Sequence, residues 1–157
     1  MTIHVKAKRI YDPPEPSDGY RVLVDSALRY LGTARTLAVT GLACDSVHVI
    51  SVRALDMVSN RSPSRPIWVR TAACPPSPLG LVATPQSRAV TLQWSAPAAG
   101  LSYEVLVNGR LVRTTAATTY TVSGLACAAT KTFSVESVDS AGGVSAPAGV
   151  VATTPTC

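Results

Sequence analysis

The second part of the chain repeats the first at a constant distance. Residues 20–74 align without a gap onto residues 103–157, and 18 of the 55 aligned positions carry the same amino acid. The shared runs include Tyr-x-Val-Leu-Val at the start of each copy and Gly-Leu-Ala-Cys in the middle. A period of 83 residues in a chain of 157 predicts two related small modules, residues 1–74 and residues 75–157.

Short segments of alternating hydrophobicity run through both modules. Val90 to Trp94 and Thr132 to Glu136, for example, alternate apolar with polar side chains, which is the period of a half-buried strand. Turns rich in Gly and Pro interrupt these segments at short intervals, and no window of a dozen residues has helical spacing without such a breaker. The pattern is typical of an all-β fold built as an antiparallel sandwich.

Four cysteines stand at equivalent positions of the two modules. Four cysteines allow three pairings, and the repeat favours one of them, because Cys44 and Cys74 are 30 residues apart and so are Cys127 and Cys157. A turn signal lies midway between each pair, so a hairpin folded there brings the two cysteines together. We predict two disulfides, with free buried thiols as the alternative. A zinc site would need closely spaced ligands such as Cys-x-x-Cys, which the chain lacks.

Disulfides indicate an extracellular or cell-surface location, because reducing compartments keep thiols free. The first nine residues have neither the apolar segment nor the small-residue cleavage site of a signal peptide. No segment approaches the about 18 apolar residues of a transmembrane helix, so we predict no membrane span. The predicted location therefore depends on the cysteines alone.

Residues 75–157 resemble a complete fibronectin type III domain. Trp94 stands at the second-strand position where this family buries a tryptophan, and Thr119 to Leu125 resembles the strand that leads into the family's corner before its sixth strand. The resemblance implies an immunoglobulin-like antiparallel β-sandwich, here in tandem, and a disulfide like that of some secreted bacterial members. The core side chains that we predict are Trp94, Tyr103, Leu125, Phe133 and Val135.

The corner of both modules departs from the family pattern. The family usually has a tyrosine six residues after the leucine of its Gly-Leu corner, and its hydroxyl bonds the corner backbone. Here His48 and Lys131 occupy these positions. We expect neither residue to reproduce that contact in the same way, and we interpret His48 as structural rather than catalytic.

The first module begins in an unusual way. Residues 20–74 resemble the third to seventh strands of the family, but the 19 residues before them hold only one predicted strand, Ile3 to Ile10, with alternate apolar side chains facing the core. The stretch from Lys8 to Asp25, Lys-Arg-Ile-Tyr-Asp-Pro-Pro-Glu-Pro-Ser-Asp-Gly-Tyr-Arg-Val-Leu-Val-Asp, resembles instead the start of the uncharacterised bacterial family DUF488. We interpret residues 1–25, which contain it, as a graft or fusion onto a truncated module. One strand cannot replace two, so we expect an uncovered edge or face that pairs with another module, another copy of the chain or a partner.

The sequence shows no pattern typical of catalysis. It has two histidines and nine acidic residues, without a Ser/His/Asp set that spacing supports, paired carboxylates or a Gly-rich phosphate loop. Asp56 and Asp139 follow equivalent strands, and we expect them to cap turns rather than bind a metal ion. We therefore predict no catalytic residue, no cofactor and no metal site.

The net charge of +5 is concentrated in the first module, which holds ten of the 14 basic residues against six acidic ones. The arginines are spread over several predicted strands and loops, so we predict no specific nucleic-acid binding.

The family resemblance implies a non-enzymatic accessory or spacer module of a bacterial secreted protein, of the kind associated with carbohydrate-active enzymes. One alternative is a module that binds polysaccharide or another protein domain, with Trp68 as the surface contact. The second alternative is an intracellular fusion protein governed by its DUF488-like N-terminus.

Overall fold

The computed structural model describes residues 2–6, 19–56, 60–64 and 66–157. The all-β prediction is confirmed, because these residues form thirteen strands and no helix. The strands are β1 (Ile3–Lys6), β2 (Gly19–Val24), β3 (Ala27–Gly32), β4 (Thr36–Val39), β5 (Val47–Leu55), β6 (Ile67–Arg70), β7 (Leu79–Gln86), β8 (Ala89–Ser95), β9 (Ser102–Val107), β10 (Arg110–Thr115), β11 (Thr119–Ser123), β12 (Thr130–Val138) and β13 (Ala148–Thr153). The described part of the chain thus offers no helix of the length and hydrophobicity needed to span a membrane.

The strands divide into two compact units, Met1–Ala73 and Cys74–Cys157. This boundary lies one residue before the end of the first copy of the repeat. We call residues 1–74 module one and residues 75–157 module two, as in the repeat, so that each module contains both of its cysteines.

Module two is an antiparallel sandwich of two sheets. One sheet has the strand order β11-β8-β7 and the other the order β10-β9-β12-β13. Successive side chains of a strand point to opposite faces, so alternate residues of both sheets fill the space between them. Trp94, Tyr103, Phe133 and Val135 are buried there, and Leu125 packs against them half-buried. The rings of Trp94 and Tyr103 meet edge to face, with centroids 5.4 Å apart, a favourable aromatic arrangement.

Module one contains the same four-stranded sheet, here in the order β3-β2-β5-β6, and a second sheet of only β1 and β4. By the repeat, β4 is the equivalent of β11. Val5 of β1 pairs with Leu37 of β4, as Leu92 of β8 pairs with Tyr120 of β11, and both pairs are antiparallel. The N-terminal strand therefore takes the place, direction and register of the tryptophan-bearing strand of module two.

The alternation of buried and exposed side chains in β1 fits its position in place of the tryptophan-bearing strand. Val5 is buried, Ile3 is half-buried and His4 is exposed. Residues 7–10, which the sequence assigned to the same strand, lie outside the described residues. Among the described strands, none pairs with the second edge of β1, where module two has β7 beside β8. The smaller core of module one contains Val5, Val22, Val24, Val39, Leu42 and Ile50.

The two aspartates that follow equivalent strands cap turns. Asp139 Oδ1 accepts the backbone N–H groups of Ala141 and Gly143 at 2.9 and 2.7 Å. Asp56 Oδ1 accepts the N–H of Asn60 at 2.7 Å. Neither belongs to a group of three or more potential metal ligands in the described residues. Their carboxylates therefore satisfy turn amides, as short polar side chains commonly do after a strand.

Candidate functional site

A disulfide closes the corner region of each module. Cys127 and Cys157 are bonded, with Cα atoms 5.6 Å apart. Cys44 and Cys74 are also disulfide-bonded, and they bond each other because the other two cysteines of the chain are already paired. Each bridge ties the residues just before the longest strand of a module to the end of that module.

A buried threonine side chain hydrogen-bonds the corner backbone of each module. Thr71 Oγ1 donates to the carbonyl oxygen of Ala43 at 2.8 Å, and Thr154 Oγ1 donates to that of Ala126 at 2.6 Å. Both threonines are buried. Sequence reasoning missed them, although each stands three residues before the last cysteine of its module and the two are equivalent in the repeat.

In module one, hydrogen bonds link three further polar side chains to this corner. His48 Nδ1 lies 2.6 Å from Asp25 Oδ2, and His48 Nε2 lies 2.7 Å from Ser46 Oγ. Asp25 occupies the turn between β2 and β3, and the pairing of β2 with β5 brings this turn beside His48. These three residues do not form a set that spacing along the sequence supports. Linear spacing did not reveal their contacts, because the sheet joins residues 23 positions apart.

Ser46, at one end of these three linked side chains, also contacts the corner. The hydroxyl oxygen of the half-buried Ser46 lies 2.8 Å from the carbonyl oxygen of Ala43, to which it donates, and 3.2 Å from Thr71 Oγ1. His48 is therefore linked to the carbonyl oxygen of Ala43 through Ser46. Ala129 replaces Ser46 in module two, where Thr154 Oγ1 accepts the N–H of Ala129 and donates to the carbonyl oxygen of Ala126.

The Asp25 carboxylate is stabilised in its charged form. The hydrogen bond with His48, and after it the bond that Val49 N–H donates to Asp25 Oδ1 at 2.9 Å, lower the pKa of Asp25 below its ordinary value of 3.8. A carboxylate whose pKa is lower in the folded than in the unfolded state stabilises the fold above the unfolded pKa. This contribution is lost as the pH falls through the folded pKa.

We expect the urea midpoint of module one to fall as the pH is lowered from about 5 to about 2, and Asp25→Asn to weaken this dependence. Asparagine is a suitable replacement, because Asn108 holds the equivalent turn of module two and its Oδ1 accepts Thr132 N–H at 3.0 Å. The substitution thus keeps the backbone contact and removes the titrating group. Circular dichroism across this pH range measures the effect. An unchanged acid dependence in the variant would show that Asp25 does not contribute to it.

The outer face of the four-stranded sheet of module one is a second candidate site. Trp68 of β6 is 69% exposed and lies directly opposite Val49 of β5. On the same face of β5, Arg53 lies directly opposite Arg21 of β2. Exposed leucines of β3 extend the surface. We name this surface the Trp68 face, and it consists of Arg21, Leu28, Leu31, Arg53, Trp68 and Arg70.

The sheet thus gathers arginines that the sequence spreads over several elements. Strand register places Arg21 of β2, Arg53 of β5 and Arg70 of β6 on one face of the sheet. Arg70 forms an ion pair with Asp45 at 2.8 Å. Arg21 and Arg53 instead face each other, and Arg21 Nε is buried without a hydrogen-bond partner.

No protein-family model matches the chain. The chain is 32% identical over 145 residues to chitinase A1 of Niallia circulans, covering 85% of this chain and 21% of that protein. It is 34% identical over 139 residues to exoglucanase B of Cellulomonas fimi, covering 79% and 13%. It is 40% identical over 79 residues to poly(3-hydroxybutyrate) depolymerase of Ralstonia pickettii, covering 50% and 16%. The matches therefore span about a fifth or less of the length of these relatives.

Among solved structures, the chain is similar to the chicken CNTN1 FN1–FN3 domains, with a TM-score of 0.52 and 12% identity, covering 88% of this chain and 56% of that one. This likeness and the two sheet orders show the fold to be a tandem of fibronectin type III-like β-sandwiches. The resemblance of residues 1–25 to DUF488 gains no support from the comparisons. Residues 7–18 lie outside the described residues, and this resemblance stays a prediction.

Proposed function

We propose that the chain is a non-catalytic accessory module of a secreted bacterial protein that degrades a polymer. The similarity to parts of three enzymes named for different substrates carries this proposal. Chitin and glucans are polysaccharides, whereas poly(3-hydroxybutyrate) is a polyester. A segment shared by such enzymes contributes something independent of polymer chemistry, as a spacer or interaction module does.

The two disulfides support a location outside the cell. Disulfides persist in oxidising surroundings, and each module carries one. Sandwiches of about eighty residues bury little surface, so a bridge that restricts the unfolded chain adds stability that each core alone does not provide. Two such modules in series fit a spacer that must stay folded outside the cell.

Trp68 favours a second candidate function, in which the Trp68 face binds a polysaccharide. A large exposed ring on the surface of a sheet can pack against the apolar face of a sugar, and neighbouring arginines can donate hydrogen bonds to its hydroxyl groups. Val151 stands at the equivalent position of module two. This binding would therefore depend on module one alone.

Retention on insoluble chitin, cellulose and poly(3-hydroxybutyrate) tests the proposal. We expect the chain to stay in the supernatant with all three polymers and to release no soluble product from them. Depletion by one polymer that Trp68→Ala abolishes would favour the second candidate function. Val151→Ala is the matched control, because Val151 is 62% exposed on the equivalent strand. Product release that Ser46→Ala abolishes would contradict a non-catalytic role.

A further inference from the structure

Each module carries two like charges directly opposite each other, at the same place in the same sheet. Arg21 and Arg53 are cross-strand partners in module one. Their equivalents in the repeat, Glu104 and Glu136, are cross-strand partners in module two. Like charges directly opposite each other destabilise a sheet. None of the four forms an ion pair with another described residue, so each module retains an unfavourable arrangement.

The surfaces around the two charge pairs are partly apolar. In module one, Leu31 lies beside Arg21 in the sheet and is 61% exposed. In module two, Leu111 of β10 is 49% exposed and pairs with Leu106 of β9 on the outer face. We name this second surface the Glu104 face, and it consists of Glu104, Leu106, Leu111, Glu136 and Val151. Both faces are sheet surfaces that combine exposed apolar side chains with two like charges that have no ion-pair partner among the described residues.

We propose that the Trp68 face of one copy of the chain docks on the Glu104 face of a second copy. The two faces are equivalent in the repeat but opposite in charge, so docking places the two arginines near the two glutamates. Each unfavourable pair then gains neighbours of opposite sign, and Trp68 and Val151 lose exposure to water. This inference goes beyond the proposed function, because a non-catalytic accessory role holds with or without self-association.

The small area of the two faces indicates a weak contact. Four strands about 4.8 Å apart and about 20 Å long present about 400 Å² on each partner. Such an area lies at the low end for protein interfaces, which is typical of weak and transient association. Each copy carries both faces, so the contact is heterologous and gives either a closed assembly or a growing chain of copies.

Sedimentation velocity of the chain over a range of concentrations tests the proposal. At about 0.1 M salt we expect the mean mass to rise with concentration above the 16.3 kDa of one copy. At about 1 M salt, where the Debye length is about 3 Å, we expect a smaller mean mass at each concentration. A chain that stays monomeric at every concentration and both salt levels overturns the proposal.

Two charge-reversal variants locate the contact. We expect Arg21→Glu with Arg53→Glu to be monomeric, and likewise Glu104→Arg with Glu136→Arg. A mixture of the two variants should associate again, because the first keeps a native Glu104 face and the second a native Trp68 face. Recovery in the mixture also shows that both variants are folded. Two variants that remain monomeric when mixed overturn the proposal, provided that circular dichroism shows both to be folded.

The matched control for the arginine variant makes the same change in net charge at other places. Arg35 is exposed between β3 and β4, and Arg113 is paired in β10 with the buried Val105, away from the Glu104 face. We expect Arg35→Glu with Arg113→Glu to associate like the unmodified chain. A chain that is monomeric but retained on heparin through Arg21 and Arg53 would assign the Trp68 face to an anionic polymer and overturn the proposal.

Discussion

Phe133→Ala is expected to lower the free energy of unfolding of module two by about 3 to 5 kcal/mol. Phe133 is fully buried, and its strand β12 lies between β9 and β13 at the centre of the four-stranded sheet. Removing the ring loses its transfer free energy and leaves a cavity that the disulfide-bonded sandwich fills only in part. The free energy of unfolding of a small domain is only about 5 to 15 kcal/mol, so the variant is expected to be barely stable.

The fluorescence of Trp94 measures this effect during urea unfolding. Trp94 is 6% exposed in the core of module two, whereas Trp68 is already exposed in the folded chain, so the change in emission follows module two. Val151→Ala, on the neighbouring strand of the same sheet but on its exposed side, is the control and is expected to change stability by less than about 0.5 kcal/mol. A loss below about 1 kcal/mol in Phe133→Ala would contradict the central position of this ring.

Replacing Cys127 and Cys157 by serine is expected to cost module two about 3 to 4 kcal/mol. The bond closes a loop between residues 30 positions apart, and in the entropic account its loss restores freedom to the unfolded chain. The midpoint of urea unfolding under oxidising conditions measures the change. A reducing agent should lower the stability of the unmodified chain in the same way. If the agent lowers module two equally in the serine variant, another cause is responsible.

The same replacement at Cys44 and Cys74 is expected to have a larger consequence. The loop has the same length, but module one completes its second sheet with only β1 and β4 among the described strands. Its core also has Ile50 where module two has Phe133. We expect this variant to lose hydrogen-exchange protection throughout β2 and β5, while module two keeps its own. Protection equal to that of the unmodified chain would show that module one does not depend on its bridge.

The division into two modules and the β character could be predicted because both depend on patterns along the chain. The gapless repeat placed Cys44 and Cys74 in the same relation as Cys127 and Cys157. A period of two in β8 and β12 indicated which side chains face inward, and this is a local property of an extended backbone. Trp68 could be expected at the surface only by comparison with Trp94, which the family resemblance assigned to the core.

The corner contacts and the charged faces could not be predicted in this way. The alternation of a strand indicates which face a side chain occupies, but not which residue of another strand lies beside it. Thr71 reaches Ala43 across 28 positions, and His48 reaches Asp25 across 23. Both contacts depend on how strands and turns distant in sequence are joined in the sheet.

The sequence by itself therefore determined that this protein is two related β modules, each with one pair of equivalent cysteines. Only the tertiary structure decided that the N-terminal strand takes the position of β8, with Val5 opposite Leu37. It also decided that Arg21 lies opposite Arg53 and Glu104 opposite Glu136. The physical reason is that the repeat and the alternation of side chains can be followed along the chain itself. Register, in contrast, depends on two strands that pair and on the core that they share.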